Sequence, residues 1–179
     1  MLASAPFFRT ISDIAGHDGM YAALDGDDND LHPLTPLVDT RLTLFGVSVI
    51  DRTITVSGSL EVSSLRGLHA TDRDLLAFGG RTIYSIVDLS PIQYGLDRIW
   101  EGPRDIVVLA SYDDLLIVAS NARGQGVVEV LRRIDGTISS AATYDDFAPI
   151  SSLSLTKGRL LVSSGRWGFA CFSTGGSIR

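Results

Sequence analysis

Three segments of this 179-residue chain repeat one pattern at nearly even spacing. The segments are DLLAFGG (74–80), DLLIVAS (114–120) and RLLVSSG (159–165), and their Leu-Leu pairs begin 40 and 45 residues apart, at Leu75, Leu115 and Leu160. A short polar turn precedes each pair, and apolar runs of strand length, rich in Val, Ile, Thr, Tyr and Phe, lie on both sides. No segment shows a sustained helical apolar stripe. The spacing therefore indicates an all-β array of repeated units.

The apolar runs do not alternate with polar residues as the strands of a half-exposed sheet do. Leu75 and Leu76 must point to opposite faces of one sheet, and the strand Thr82–Leu89 carries apolar groups on both faces. A sheet packed between two other sheets explains this pattern, as in radial stacking at 40–50 residues per blade. We expect Gly79-Gly80 to form the hairpin between the second and third strands. The sequence predicts a β-propeller-like array of about four four-stranded antiparallel blades.

The units divide a single predicted domain, residues 1–179. A divergent first blade spans 1–64, with strands at Phe7–Ile14, Met20–Leu24, Leu42–Ile50 and Thr53–Val62 and an acidic loop at 25–38. The repeats follow at 65–103, 104–146 and 147–179. The last unit stops after its third strand, so we predict an array that is incomplete by one strand. Three completions stay open: Pro6–Ile11 closes a small ring, the chain is part of a larger propeller, or a partner or another copy supplies blades.

Residues 65–175 resemble the WD40-like β-propeller superfamily. In LLAFGGRTIYSIVDL, Val87-Asp88 stands at the family's Trp-Asp position, and Asp74 precedes the second strand. The next unit ends in Ile134-Asp135, and the family's Gly-His pair is absent. The resemblance implies a propeller fold.

The stretch HDGMYAALDGDDNDLH (17–32) is the densest cluster of metal-ligand side chains. Asp25, Asp27 and Asn29 match positions 1, 3 and 5 of a calcium-binding loop, but Asp30 replaces the glycine of position 6 and Pro36 the glutamate of position 12. We interpret the stretch mainly as a solvated acidic loop and predict no obligatory cofactor. A calcium site on these three residues, or a transition-metal site on His17 and His32, are the alternatives.

Motifs for catalysis are missing from the sequence. It contains no G-x-S-x-G elbow, P-loop or dinucleotide fingerprint. His69 is predicted to pack within a strand, and Cys171, in the apolar run WGFACFST, to be a core thiol. The net charge of −6 and the pI of 4.9 give no field that attracts nucleic acid or an anionic membrane surface. No run approaches the length of a membrane helix.

These patterns favour a non-catalytic scaffold subunit that binds other proteins inside the cell, in the cytoplasm or nucleus. We predict partner contacts by Arg123, Arg132 and Arg133, aligned on one rim of the stacked blades, and by Trp100 and Trp167 as interface anchors. Self-assembly is a further predicted mode. The alternative is a propeller enzyme or ligand-binding protein whose site lies in a central channel or depends on calcium.

Overall fold

The structure is a computed structural model that describes residues 10–26, 40–48, 50–62, 64–90, 93–156, 159–165 and 168–173. These ranges contain fifteen β-strands and no α-helix, which confirms the all-β prediction. Accordingly, no helix in the described ranges has the length and apolarity to cross a bilayer. The chain divides into two compact units, Met1–Ile99 and Trp100–Arg179. The assignment of 1–179 to one domain stays a prediction.

The first unit contains two antiparallel sheets of four strands, each built from strands consecutive in the chain. Sheet 1 has the order β1-β2-β3-β4, formed by Thr10–His17, Met20–Gly26, Thr40–Ser48 and Thr53–Val62. Sheet 2 has the order β5-β6-β7-β8, formed by Gly67–Ala70, Leu75–Gly79, Thr82–Ser90 and Gln93–Glu101.

The second unit repeats this plan with one strand fewer among the described residues. Sheet 3 has the order β12-β11-β10-β9, formed by Ile106–Tyr112 (β9), Leu115–Ala122 (β10), Gln125–Ile134 (β11) and Thr137–Phe147 (β12). Sheet 4 has the order β13-β14-β15, formed by Ser152–Thr156, Arg159–Ser163 and Phe169–Ser173. The four successive antiparallel sheets confirm the predicted β-propeller-like array.

Each unit has its own core, in which consecutive sheets pack through their inner faces. In the first unit, one cluster joins Ala22, Leu24, Leu42 and Leu44 of sheet 1 to Leu68, Leu75 and Ala77 of sheet 2. In the second unit, Ile117, Ala119, Val128 and Val130 of sheet 3 pack with Leu160 and Val162 of sheet 4. Both cores have the sheet-on-sheet geometry that the repeat pattern predicts.

The central strands are buried on both faces, as their sequences require. All five residues of β6 are buried, and the neighbours Leu76 and Ala77, which point to opposite faces, are both 0% exposed. On β10, five consecutive residues from Leu116 to Ser120 are likewise buried. This two-faced burial distinguishes stacked blades from a sheet that is wet on one side.

The predicted and observed strand limits agree best where turn signals are clear. Met20 begins β2 and Thr53–Val62 is β4, as predicted. The first strand continues beyond Ile14 to His17, because its turn is formed by Asp18-Gly19. The acidic loop begins later than predicted: Asp25 is a strand residue that pairs with Ile11 and Arg41. The remaining loop, 27–38, lies outside the described residues.

Candidate functional site

A cleft of about 250 Å³ lies between sheets 1 and 2 at one end of the first unit. Its lining comes from the β1–β2 turn with the strand residues on either side of it, the β5–β6 turn with the start of β6, and the facing parts of β7 and β8. The lining residues are His17, Asp18, Met20, Arg73, Asp74, Leu75, Ile86, Asp88 and Tyr94.

A tight hairpin places the sheet 1 side of the cleft. Asp18 and Gly19 both have positive φ, 48° and 79°, which is the backbone of a two-residue type I′ turn. Aspartate tolerates this left-handed conformation better than most residues, and glycine adopts it without strain. The turn closes directly on the His17–Met20 pair of β1 and β2. The Asp18 side chain is therefore held at the exposed tip, while Met20 points to the core.

A hydrogen-bonded turn fixes the sheet 2 side. The Thr71 hydroxyl donates to Asp74 Oδ1 at 2.7 Å and accepts the amide N–H groups of Arg73 and Asp74, each at 3.0 Å. The Thr71 N–H donates to the Asp74 carbonyl at 2.9 Å. Ser85 Oγ donates to Asp74 Oδ2 at 3.5 Å. Both carboxylate oxygens of Asp74 thus accept bonds from the fold, and the role of this residue is to hold the turn.

The floor of the cleft is apolar and continuous with the core. Leu75 is a member of the buried cluster of the first unit, and Met20, Ile86 and Tyr94 pack against that cluster while remaining partly exposed. Side chains with this half-buried placement offer apolar surface to a ligand without needing to move. Since four strands of two sheets supply them, the floor is rigid.

The rim of the cleft is charged. Asp18, Arg73 and Asp88 are exposed, and three aspartates against one arginine give the lining a formal charge of −2 with His17 neutral. Among the described residues, no three His, Cys, Asp or Glu side chains lie close enough to hold a metal ion, so these carboxylates do not form a joint metal centre. The arrangement is suited to recognising a group that carries both apolar surface and positive charge.

The sequence offered no direct sign of this cleft. Its lining residues are spread over 78 positions, from His17 to Tyr94, and only the pairing of sheets 1 and 2 brings them together. Val87-Asp88 and Asp74 stood out only through the family resemblance. A signal was nevertheless present, because polar residues follow the first strand of sheet 1 at Asp18 and the first strand of sheet 2 at Arg73-Asp74.

The predicted calcium ligands are only partly covered by the described residues. Asp25 is 3% exposed on β2, and its Oδ2 atom is buried and accepts no hydrogen bond from any described residue. Asp27 and Asn29, like His32, lie outside the described residues. The calcium site stays a prediction, with one buried carboxylate oxygen available to it.

The three arginines predicted to line one rim do not lie together. Arg123 occupies the β10–β11 turn with a φ of 51°, whereas Arg132 and Arg133 lie near the far end of β11. Arg132 lies seven residues of extended chain beyond Gln125, the first residue of β11 after the turn, or about 23 Å. The common rim is therefore wrong, because one strand carries the residues to its opposite ends. Partner binding by each arginine stays a prediction.

The remaining predicted residues have mixed outcomes. Trp100 is half-buried on β8, and its ring covers Gly102, where an added Cβ would lie 2.7 Å from Cζ2. Trp167 lies outside the described residues. His69 lies in strand β5, as predicted, and is half-buried. The roles of both tryptophans as interface anchors stay predictions.

Cys171 is exposed, so its assignment as a core thiol is wrong. It pairs with Leu161 on β14, while the adjacent Val162–Ala170 pair belongs to the face that packs on sheet 3. Alternation along β15 therefore puts Cys171 on the other face. That face carries a second hollow of about 350 Å³, lined by Ser152, Ser154, Leu161, Ser163 and Phe169, the last 79% exposed. Among the described residues, no charged side chain lines this hollow.

Comparison with known proteins adds no family to this picture. No protein-family model matches the chain, and no curated protein matches it either.

Proposed function

We propose that this protein is a non-catalytic scaffold subunit that binds other proteins through side chains held at the ends of its sheets. The cleft of the first unit carries the proposal: its floor is an extension of the core, and its charged rim is open to solvent. Rigid strands that present turn residues are a common basis for protein recognition. Apolar contact area surrounded by charge also matches the anatomy of a protein interface.

The same proposal has three further parts: an assignment to the WD40-like superfamily, a place in a larger complex, and an intracellular location in the cytoplasm or nucleus. The WD40-like assignment is supported by the hydrogen bonds of Asp74 with Thr71 and Ser85, which tie the turn before β6 to β7. Val87-Asp88, at the position of the family's Trp-Asp pair, follows on the same strand.

Affinity capture with the folded full chain tests the scaffold proposal. Circular dichroism first establishes that the bait is folded, and a bait unfolded by heat provides the matched control. We expect one or more proteins to be retained from native extract in near-stoichiometric amount by the folded bait alone. Light scattering of the purified chain tests self-assembly in parallel. A bait that is folded and monomeric and retains no protein in that amount would overturn the proposal.

Asp25 favours a second candidate function, a calcium-dependent site at the end of β2. The buried Asp25 Oδ2 accepts no hydrogen bond from the described residues, and a bound cation would offset the desolvation cost of such an oxygen. If calcium binds there, the melting temperature rises with added calcium and falls with chelator, because a ligand stabilises the state that binds it. Asp25→Asn should abolish the rise, whereas Asp51→Asn, at an exposed turn of the same sheet, should preserve it. A melt that calcium leaves unchanged overturns the candidate.

A further inference from the structure

We propose that the cleft between sheets 1 and 2 binds one basic side chain, in the first place arginine, presented by an exposed segment of a partner protein. This inference rests on the proposed scaffold function and specifies the partner chemistry of that same site. Three properties of the cleft carry it: the apolar floor, the exposed carboxylates of the rim and the size.

The floor matches the aliphatic stem of such a side chain. Met20, Ile86 and Tyr94 remain partly exposed while packing on the core of the first unit. Arginine and lysine bury their methylene stems along apolar surface while the charged head stays at the water boundary. The tyrosine ring adds a face on which a guanidinium can stack.

The rim matches the cationic head. Asp18 and Asp88 are exposed at the cleft and lie on different sheets, one in the β1–β2 turn and one on β7. Asp74 is less suited to this role, because Thr71 and Ser85 already engage its two oxygens. Arg73 contributes one positive charge, and the lining still sums to −2. A planar guanidinium with five donors can bond carboxylates on two sides, which favours arginine over lysine.

The size of the cleft fits one side chain. At about 250 Å³, the open cleft lies just below the range of roughly 300–1,000 Å³ in which small-molecule and cofactor sites fall. A side chain that enters from a protein surface leaves its own backbone at the rim, where the cleft opens.

Short peptides test the proposal on the full chain by NMR. The probes are Ac-Gly-Arg-Gly-NH₂ and its citrulline analogue, which has the same shape but no charge. We expect the arginine peptide to shift the backbone amides of Met20, Ile86 and Tyr94, with an affinity about fivefold or more above that of the citrulline peptide and weakened by salt. Equal binding of the two peptides, or shifts confined to other residues, would overturn it.

Two substitutions and a matched control locate the binding. The double variant Asp18→Asn/Asp88→Asn should lower the affinity for the arginine peptide about fivefold or more. The control is Asp135→Asn, because Asp135-Gly136 forms an exposed turn with φ values of 50° and 79°, nearly those of Asp18-Gly19. Asparagine accepts this backbone, so both proteins should fold. The control should bind like the wild type. Unchanged binding by a double variant whose melt is also unchanged would contradict the proposal.

Butylguanidine, a free guanidinium on a butyl chain with the same single charge as the arginine peptide, separates the two sources of this chemistry. Binding of butylguanidine weaker than or similar to that of the peptide supports a side chain from a partner. Butylguanidine binding about tenfold tighter than the peptide would overturn the partner source in favour of a free organic cation. Capture experiments test the cleft and the scaffold function separately. If the double variant captures the same stoichiometric partner as the wild type, the assignment of the cleft fails while the scaffold proposal stands.

Discussion

Asp13 of sheet 1 accepts a backbone hydrogen bond from Leu68 of sheet 2, with 2.7 Å between Asp13 Oδ2 and the Leu68 nitrogen. β5 is the first strand of its sheet, so its outward amides have no neighbouring strand within that sheet. Leu68 is 7% exposed, and an unpaired amide there would lose its water without replacement. The Asp13 carboxylate of sheet 1 accepts the hydrogen bond of this amide and so links the two sheets.

Replacing Asp13 should therefore loosen the first unit. We expect Asp13→Ala to lower the free energy of unfolding by about 1–3 kcal/mol, because the Leu68 amide loses a charged acceptor. Asp13→Asn retains an acceptor oxygen and should cost less, about 1 kcal/mol. Urea denaturation followed by tryptophan fluorescence and circular dichroism measures both. Asp97→Ala, at an exposed position on β8, is the control and should change stability by less than about 0.5 kcal/mol. An Asp13→Ala protein as stable as this control would rule out the bond as a support.

Glycine is required at position 79 because the backbone of another segment lies very close to it. At Gly80 the reason is different, namely the conformation of the turn. Gly80 lies in the β6–β7 turn with a φ of 53°, as predicted, whereas Gly79, predicted to share that turn, instead pairs with Thr82 on the strand. At Gly79, the last residue of β6, an added Cβ would collide with the backbone of Ser64 and lie 2.7 Å from Leu65 Cα. Backbone atoms cannot swing aside like the end of a flexible side chain.

We therefore expect Gly79→Ala to destabilise the protein by about 2 kcal/mol or more, in the range of overpacked core substitutions. Gly46→Ala is the matched control, because Gly46 lies on β3 of the same unit and, apart from its chain neighbours, no atom of the described residues lies within 4 Å of an added Cβ. It should be neutral or gain up to about 1 kcal/mol through a less flexible unfolded chain. Urea midpoints of the two variants decide the matter, and equal midpoints would contradict the close approach.

Asn121 gives the second unit a counterpart to the Asp13–Leu68 bond. Its Nδ2 group donates to the Ile150 carbonyl at 2.9 Å, and its Oδ1 accepts the Ile150 amide at 2.7 Å. Asn121 lies on β10, and Ile150, which is 2% exposed, comes shortly before β13. The Asn121 side chain thus pairs with both the N–H and the C=O group of Ile150, a buried residue that lies outside β10 and β13.

Asn121→Ala should leave both groups of Ile150 without this partner and lower the free energy of unfolding by about 2–3 kcal/mol. Hydrogen exchange gives a local measure: we expect faster exchange of the Ile150 amide and of its neighbours on β13. Ser139→Ala, exposed on β12, should leave both measurements at wild-type values. An Ile150 amide that remains fully protected in Asn121→Ala would show that the bond is dispensable.

The sequence predicts the sheets well because strands and turns are specified by neighbouring residues and by a repeated pattern of apolar residues. The Leu-Leu pairs determine β6, β10 and the two-faced burial, and the turn at Asp51-Arg52 places the start of β4 at Thr53. The exposure of Cys171 is not determined by local sequence. It depends on which face of sheet 4 is covered by another sheet, and an apolar run alone does not indicate that face. The cleft depends in the same way on contacts between strands far apart in the chain. The separation of Arg123 from Arg132 was predictable, since a strand that begins directly after the Arg123 turn carries Arg132 to the opposite end of the sheet.

His69 should make the stability of the protein depend on pH. Burial in β5 lowers the pKa of His69 below its ordinary value of 6.5, and the nearby charge of Asp13 opposes this shift in part. In the unfolded chain the imidazole binds a proton at the ordinary value, so between the two pKa values the unfolded state holds more protons than the folded one. The free energy of unfolding should then fall as the pH drops below 6.5 and through the lower folded pKa.

Two measurements check this dependence. An NMR titration of the His69 ring protons should give a midpoint below 6.5, and Asp13→Asn should move the midpoint lower still, because the carboxylate no longer stabilises the imidazolium. Urea denaturation at a series of pH values should show a smaller loss of stability below pH 6.5 in His69→Gln than in the wild type. A His69 midpoint at or above 6.5, or an identical loss in His69→Gln, would mean that burial does not disfavour the charged ring.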